Sequence, residues 1–156
     1  LTSKKIYDTF TGKFNEMKHL FHGHTYTGNP IAASLSLTNL ELYEKYNLIQ
    51  KIKNTSKIFK NRMSEFYKLE LVGDVRTKGL VMGIELVNDQ RTKTPLKTKK
   101  SINKIMFEEG KKHNVYFRTL GNIVMLVPPL AISENEINIL IDSTLKTIKG
   151  VTNNLK

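Results

Sequence analysis

A change of hydrophobic period at Glu70 limits the folds open to this chain more than any other feature of its sequence. Before Glu70, apolar residues recur at steps of three and four, which is the spacing of one helix face. After it, runs such as 71–76 and 80–87 have the length and residue types of strands. The chain therefore predicts two long helices followed by strands mixed with helices, an α/β fold with a small, mostly antiparallel sheet.

Residues typical of helix ends set the predicted boundaries. Asn29 suits an N-cap and Pro30 suits the first turn. Ser133 and Glu136 form a capping box, and Asn114 can adopt the left-handed conformation that ends a helix. We predict helices over 3–10, 29–46, 48–68, 98–113 and from 133 to 150, with a frayed end over 151–156.

The helix predicted over 29–46 has an unusually broad apolar stripe, which includes Ile31, Leu35 and Leu42. Small residues over 32–34 would let another backbone approach closely. We expect this helix to be buried on more than one side, as a helix at an interface is.

Four strands are expected, in two pairs. The first pair is 71–76 with 80–87, and the second is 115–118 with 123–127, turned by 120–122. Gly83 lies inside the second strand of the first pair, which predicts a bulge or a close backbone approach at that position.

Length and composition place the chain in a broad class. The 156 residues are enough for one hydrophobic core, and no run of about 18 apolar residues is present to span a membrane. No apolar segment follows the N-terminal lysines as it does in a secretory signal. Cysteine is absent, so disulfides and thiolate metal sites are excluded. These features predict a cytoplasmic protein.

A formal net charge of +11 raises the question of nucleic-acid binding. The basic residues concentrate over 51–62 and 91–104. The lysines of the first cluster lie opposite a predicted apolar helix face, and neither cluster interleaves the aromatic residues on which single strands stack. We favour a solvated basic surface and no nucleic-acid partner, with a basic, non-enzymatic nucleic-acid-binding module as the alternative.

The segment 22–30, H-G-H-T-Y-T-G-N-P, has the composition of an anion-binding loop. Its glycines let backbone N–H groups approach a ligand, and its hydroxyl groups can donate to oxyanions. The helix that follows directs the positive end of its dipole at the same segment. From the residues alone, a phosphate-binding loop and an ordinary polar loop are equally open.

The histidines of this region do not predict a metal site. His19, His22 and His24 are close in sequence, but no Asp or Glu lies among them. A metal site needs about three convergent ligands, and three histidines of one short loop converge only if the loop wraps tightly. We expect no metal.

Three ordered segments resemble the class III (omega) aminotransferases, which depend on pyridoxal 5′-phosphate. They are H-G-H-T-Y-T-G-N-P-I-A-A-S-L-S-L from residue 22, G-D-V-R-T-K-G-L-V-M-G-I-E-L from residue 73, and V-Y-F-R-T-L-G-N-I-V-M-L-V-P-P-L-A-I-S-E-N-E-I from residue 115. The resemblance implies the C-terminal part of a fold-type I transferase, with interface helices and a small α/β domain. Residues 1–46 would end the large cofactor domain, and 47–156 would form the small one.

The same resemblance implies roles for single residues. In this family the loop reaches across a dimer interface, and its threonine holds the cofactor phosphate of the neighbouring subunit. That role falls to Thr25, with Gly23 and His24 shaping the turn. From the residues alone, Arg118 beside a glycine turn is either an ordinary surface arginine or a planar fork suited to a carboxylate. By the resemblance it matches the arginine that holds the keto-acid carboxylate in the branch acting on 8-amino-7-oxononanoate in biotin biosynthesis. Tyr26 either borders the substrate site or is a packed loop aromatic.

Two departures leave the substrates partly open. Family members often have proline where this chain has Thr119, and the branch that uses S-adenosylmethionine tends to have an aromatic residue where Met125 lies. The amino donor is therefore S-adenosylmethionine, lysine or another amine. A class III enzyme acting on a different amine and keto acid is the alternative within the family.

The resemblance also identifies a missing group. Transamination needs a lysine that forms a Schiff base with the cofactor, and in this family it lies just upstream of a Thr-Gly-Gly turn. Lys4, Lys5, Lys13 and Lys18 precede the loop, but none is followed by that turn. We expect a C-terminal segment of a homodimeric enzyme, inactive alone and binding cofactor weakly or not at all.

Overall fold

The computed structural model describes residues 2–20 and 22–155, and the chain divides into two compact units, Leu1–Glu41 and Leu42–Lys156. The first unit contains α1 (Lys4–Thr9), a 3-10 turn (Phe14–Glu16) and most of α2 (Pro30–Lys45). The second contains α3 (Leu48–Phe66), β1 (Val72–Lys78), β2 (Val81–Asp89), β3 (Thr94–Pro95), α4 (Ile102–Lys111), β4 (Arg118–Leu120), β5 (Ile123–Leu126) and α5 (Glu134–Leu155). Among the described helices, none has the length and apolar character needed to cross a membrane.

The first helices begin where their capping residues predict. Ser3 caps α1 by accepting a hydrogen bond from the backbone N–H of Ile6. Asn29 caps α2, because its Oδ1 accepts from the N–H groups of Ile31 at 3.0 Å and Ala32 at 3.1 Å. The predicted N-cap at Asn29 is therefore confirmed, and its local bonds fix the point at which the loop becomes a helix.

The burial of α2 differs from the expectation. No residue of α2 is buried by the described chain, and its apolar stripe is open, with Ile31 71% and Leu35 66% exposed. An amphipathic helix is buried only when another element covers its apolar face. No described residue of the first unit buries this one.

The second unit is built on an antiparallel sheet with strand order β1-β2-β5-β4, and β3 pairs with the far end of β2. The β4–β5 pair is joined at Gly121, whose φ of +59° suits the first position of a two-residue hairpin turn. Side chains alternate between the two faces of each strand. One face, with Val75, Met82, Ile84 and Val124, is buried.

Helices α3, α4 and α5 supply the other half of the core. The fully buried side chains come from all three helices, from the covered face of the sheet and from the segment between α4 and β4. The largest are Phe59, Phe66, Met82, Ile84, Leu86, Met106, Phe117, Ile137, Ile141 and Ile148. The opposite face of the sheet, which we call the open face, has exposed residues of β1, β2 and β4.

The predicted irregularity in the sheet is at a different glycine. Pairing is continuous through Gly83, where an added Cβ would meet Ile123 at an ordinary 3.4 Å. The register shift lies at Gly73, where a Cβ would lie 2.5 Å from a methyl group of Val87. The bulge expected at Gly83 is therefore wrong, because the close approach involves a side chain that faces Gly73 from the neighbouring strand.

Several boundaries also shift. Residues 115–117 do not form the predicted strand, because the chain leaving α4 bonds back through Val115 N–H to the Gly110 carbonyl, and pairing starts at Arg118. Asn114 has the expected left-handed φ of 57°.

The capping box of Ser133 opens α5 as expected. The helix continues through the predicted frayed end to Leu155, because Val151 and its neighbour pack into the core.

An ion-pair network joins α3 to α5. Arg62 donates to both carboxylate oxygens of Glu65, at 2.7 and 2.6 Å, and to Asp142 at 2.6 Å and Asn138 at 3.1 Å. The hydrogen bond from Arg62 is the main cause that lowers the pKa of the Glu65 carboxyl. Arg62 therefore belongs to the packing of the unit and not to the solvated basic face of α3.

Candidate functional site

The loop before α2 has an unusual backbone. Tyr26, Thr27 and Gly28 have positive φ values of 69°, 26° and 69° in succession. The Thr27 hydroxyl donates to the His24 carbonyl, and the N–H of Asn29 donates to the Tyr26 carbonyl at 2.7 Å. A positive φ at a β-branched residue such as Thr27 is a true outlier and costs on the order of 1–3 kcal/mol. Such conformations concentrate at ligand-binding segments.

Every residue of 22–28 is exposed, and the groups predicted to bind an anion are available. Among the described residues, none forms a hydrogen bond with the Thr25 side chain, and nothing lies within 4 Å of a Cβ built on Gly23. The rings of His22 and His24 are in edge-to-face contact, with centroids 4.5 Å apart. Gly23 and His24 lie just before the turn at 25–28, which begins at Thr25, and this exposed segment fits the chemistry of a phosphate group.

Arg118 lies in the second unit, at the start of the edge strand β4. Its cross-strand partner is Met125 on β5. Met125 is also paired with Gly83 on β2, and Gly83 is paired with Arg76 on β1. These four residues form one row across the open face. Since neighbouring strands are about 4.8 Å apart, the two arginines at the ends of the row are separated by about 14 Å.

The two arginines of this row differ in their partners. Arg76 is held by Asp74 at 3.1 Å and Glu85 at 3.4 Å. Arg118 is exposed, and no carboxylate of residues 2–20 and 22–155 pairs with it. Arg118 is therefore the arginine of the row whose guanidinium is free for an external carboxylate.

A shallow groove of about 300 Å³ lies on the open face at the Arg76 end of this row. Gly83, Val81, Ile123 and Met125 give it an apolar surface, and Arg76, Thr77 and Lys78 complete its lining. Arg118 does not line the groove, but it pairs across strands with Met125, which does. An apolar surface of this kind, one strand away from the Arg118 guanidinium, suits a ligand with an aliphatic body and a carboxylate at one end.

A contact that the sequence did not indicate holds the strand of Arg118. The backbone N–H of Thr119 donates to Oδ1 of Asn103 on α4, at 3.2 Å. No motif or period marks Asn103 as functional, because its partner is 16 positions away and is a main-chain group. Tyr26 lies in the exposed loop, with 73% of its surface exposed. It is therefore not a packed aromatic side chain within the described part of the chain.

Residues 1–148 match the family described as "Aminotransferase class-III", and the chain belongs to this family. Enzymes of the family depend on pyridoxal 5′-phosphate. The chain is 40% identical over 152 residues to an adenosylmethionine-8-amino-7-oxononanoate aminotransferase of Geobacter sulfurreducens, a match that covers 97% of this chain and 34% of the relative. It thus spans about a third of the length of the relatives it matches.

Solved structures agree with these relatives. The crystal structure of adenosylmethionine-8-amino-7-oxononanoate aminotransferase from Methanocaldococcus jannaschii superimposes with a TM-score of 0.76 at 42% identity, covering 96% of this chain and 34% of that one. The omega transaminase from Pseudomonas jessenii in complex with PMP gives 0.77 at 26% identity, covering 90% and 31%. The expected α/β fold of a PLP-dependent transferase, with an antiparallel sheet, is confirmed.

Proposed function

We propose that this chain forms the C-terminal part of a pyridoxal-phosphate-dependent aminotransferase that transfers an amino group to 8-amino-7-oxononanoate in biotin biosynthesis. The observation that supports this most is the identity of 37–43% with relatives of that name over 96–97% of the chain. Identity with the omega transaminase of Pseudomonas jessenii is lower, at 26%. The similarity therefore favours the 8-amino-7-oxononanoate branch over other class III enzymes.

In this proposal the loop holds the phosphate group of the cofactor. The Thr25 hydroxyl donates to a phosphate oxygen, and Gly23 and His24 shape the turn around it. The support is the exposed Thr25 hydroxyl, which has no hydrogen-bond partner among the described residues, in the loop that leads into α2, together with the positive-φ run that follows it. Pyridoxal phosphate supplies an electron sink for amino-group exchange when it is bound.

Arg118 receives the substrate carboxylate in a bidentate pair, and the aliphatic part of the substrate lies along the apolar row beside it. The support is the Arg118 guanidinium, which no carboxylate of the described residues engages, and its cross-strand neighbour Met125, which lines the groove. Tyr26 borders the substrate from the loop. None of these side chains exchanges protons with the substrate, so their contribution is binding and orientation.

We further propose that the loop serves the partner subunit of a homodimer. The support is the distribution of apolar residues around α2: Ile31 and Leu35 lie on one side, Leu37 and Leu40 lie on another, and each is more than 60% exposed. Exposed apolar side chains on more than one side of a helix indicate surfaces that another protein covers. A second copy of the same enzyme is the partner that this family predicts.

Residues 1–156 alone are proposed to lack transaminase activity, because none of the lysines before the loop has the Thr-Gly-Gly turn after it. Borohydride reduction in the presence of cofactor should then label no lysine of the isolated chain specifically, as read by peptide mass spectrometry. Addition of the polypeptide that supplies the Schiff-base lysine should restore labelling, on that polypeptide. A specific label on Lys4, Lys5, Lys13 or Lys18 would contradict the proposal.

Phosphate binding is tested by Thr25→Val, which keeps the shape of the side chain and removes its hydroxyl. In the assembled enzyme, loss of one hydrogen bond to a charged group should weaken cofactor retention by about 10- to 100-fold, corresponding to about 1.5–3 kcal/mol. Equilibrium dialysis of the cofactor measures it. Thr25→Ser restores the donor and should retain near-normal affinity. Equal retention by the valine and serine variants would remove Thr25 from the phosphate site.

A further inference from the structure

The strand that carries Arg118 lies at the edge of the sheet. In the order β1-β2-β5-β4, β4 has a neighbour on one side alone, and it is three residues long. The Leu120–Ile123 pair flanks the hairpin turn, and hydrogen-bonded and non-hydrogen-bonded pairs alternate along an antiparallel ladder. The backbone groups of Arg118 and Leu120 therefore form hydrogen bonds with β5, whereas the N–H of Thr119 points away from the sheet. A short edge strand of this kind is held weakly unless its outward groups find partners.

Asn103 supplies that partner. Its Oδ1 accepts from the N–H of Thr119 at 3.2 Å and lies 3.5 Å from the Thr119 hydroxyl. Asn103 is the second residue of α4, whose first turn is fixed by the Ser101 cap and whose Met106 is buried in the core. The bond therefore ties the peptide that follows Arg118 to a rigid helix.

We infer that Asn103 is a positioning residue for carboxylate recognition: it fixes the edge strand so that the Arg118 guanidinium faces the substrate carboxylate. This inference rests on the role proposed above for Arg118. Asn103 does not touch the substrate. It limits rotation of the Arg118–Thr119 peptide, so the guanidinium samples fewer orientations before the carboxylate binds.

The variant Asn103→Leu keeps the approximate size of the side chain and removes the acceptor, whereas Asn103→Asp keeps an accepting oxygen at the same position. Because one hydrogen bond is lost, we expect Asn103→Leu to raise KM for the acceptor about 3- to 10-fold with kcat nearly unchanged. Asn103→Asp should stay near the parent. With the methyl ester of the acceptor, which has no carboxylate, both variants should match the parent.

A double-mutant cycle separates positioning from general destabilisation. In an Arg118→Gln background, Asn103→Leu should have no further effect on KM, since the group that it positions is gone. A readout independent of activity is hydrogen exchange of the Thr119 amide in the isolated chain by NMR, which should accelerate in Asn103→Leu and not in Asn103→Asp.

These measurements distinguish failure of the Asn103 inference from failure of the proposed role of Arg118. If Arg118→Gln raises KM but Asn103→Leu leaves KM or the Thr119 exchange rate unchanged, this inference fails and the role of Arg118 stands. Equal effects of Asn103→Leu on the acid and its ester, or additive effects in the cycle, would also overturn it, because they indicate a loss of stability alone. If Arg118→Gln leaves KM unchanged, the proposed role of Arg118 fails and this inference fails with it.

Discussion

Replacing Gly110 with alanine should lower the free energy of unfolding by about 2–3 kcal/mol. Gly110 is buried near the end of α4, where an added Cβ would lie 2.6 Å from a ring carbon of Phe117 and 2.6 Å from the carbonyl oxygen of Val115. The first obstacle is a side chain fixed in the core, with 1% of its surface exposed, and the second is backbone. Neither can move without shifting the segment that leads into Arg118.

The sign of this change is what makes it informative. Glycine to alanine inside a helix normally stabilises by about 0.5–1 kcal/mol, because alanine loses less backbone entropy on folding. Urea unfolding of the isolated chain measures the change in the free energy of unfolding. Lys111→Ala, at the exposed neighbouring position, is the control, and its free energy of unfolding should lie within about 0.5 kcal/mol of the parent value. A stabilised Gly110→Ala variant would mean that Phe117 does not pack against the helix as described.

The elements of this fold that could be predicted from sequence are those determined by neighbours in the chain. Asn29, Ser133 and Asn114 each act through bonds or backbone angles within a few residues of themselves. For the same reason the change of period at Glu70 separates helices from strands correctly. At these positions the residue type alone determines the local hydrogen bond or backbone angle.

The features that sequence did not predict depend on residues distant in the chain. Gly73 and Gly83 look alike within strand patterns, and what distinguishes them is Val87, which faces one and not the other. Val151 reads as a frayed end because the pattern around it is polar, yet it packs against the core. A one-dimensional pattern carries no information about which side chain lies opposite.

The candidate site shows the same division. The loop at 22–28 could be recognised because its residues act together within one turn, and Arg118 because it stands beside a glycine turn in a segment with a family pattern. Their roles stay proposals. Asn103 could not be recognised, since its contribution is a single bond to a main-chain group of another element.

Arg118→Gln should raise KM of the assembled enzyme for 8-amino-7-oxononanoate about 30- to 150-fold, with a much smaller change in kcat. Glutamine keeps a polar side chain of moderate length but loses the charge and the fork that pairs with a carboxylate. Removing one partner of such a pair costs about 2–3 kcal/mol when the site is partly shielded from water. A carboxylate remote from the reacting carbon is bound equally in the ground and transition states, so the loss falls mainly on KM.

Arg76→Gln is the matched control, because both arginines lie on the open face in one cross-strand row. Arg76 is already engaged by Asp74 and Glu85, so it has no free fork to offer a substrate, and its removal should change KM by no more than about twofold. Arg118→Lys keeps the charge without the planar fork and should fall between the two. Equal losses in the Arg118→Gln and Arg76→Gln variants would assign the effect to the charge of the open face as a whole. A loss confined to Arg118, and absent with the ester of the acceptor, would assign it to a direct pair with the carboxylate.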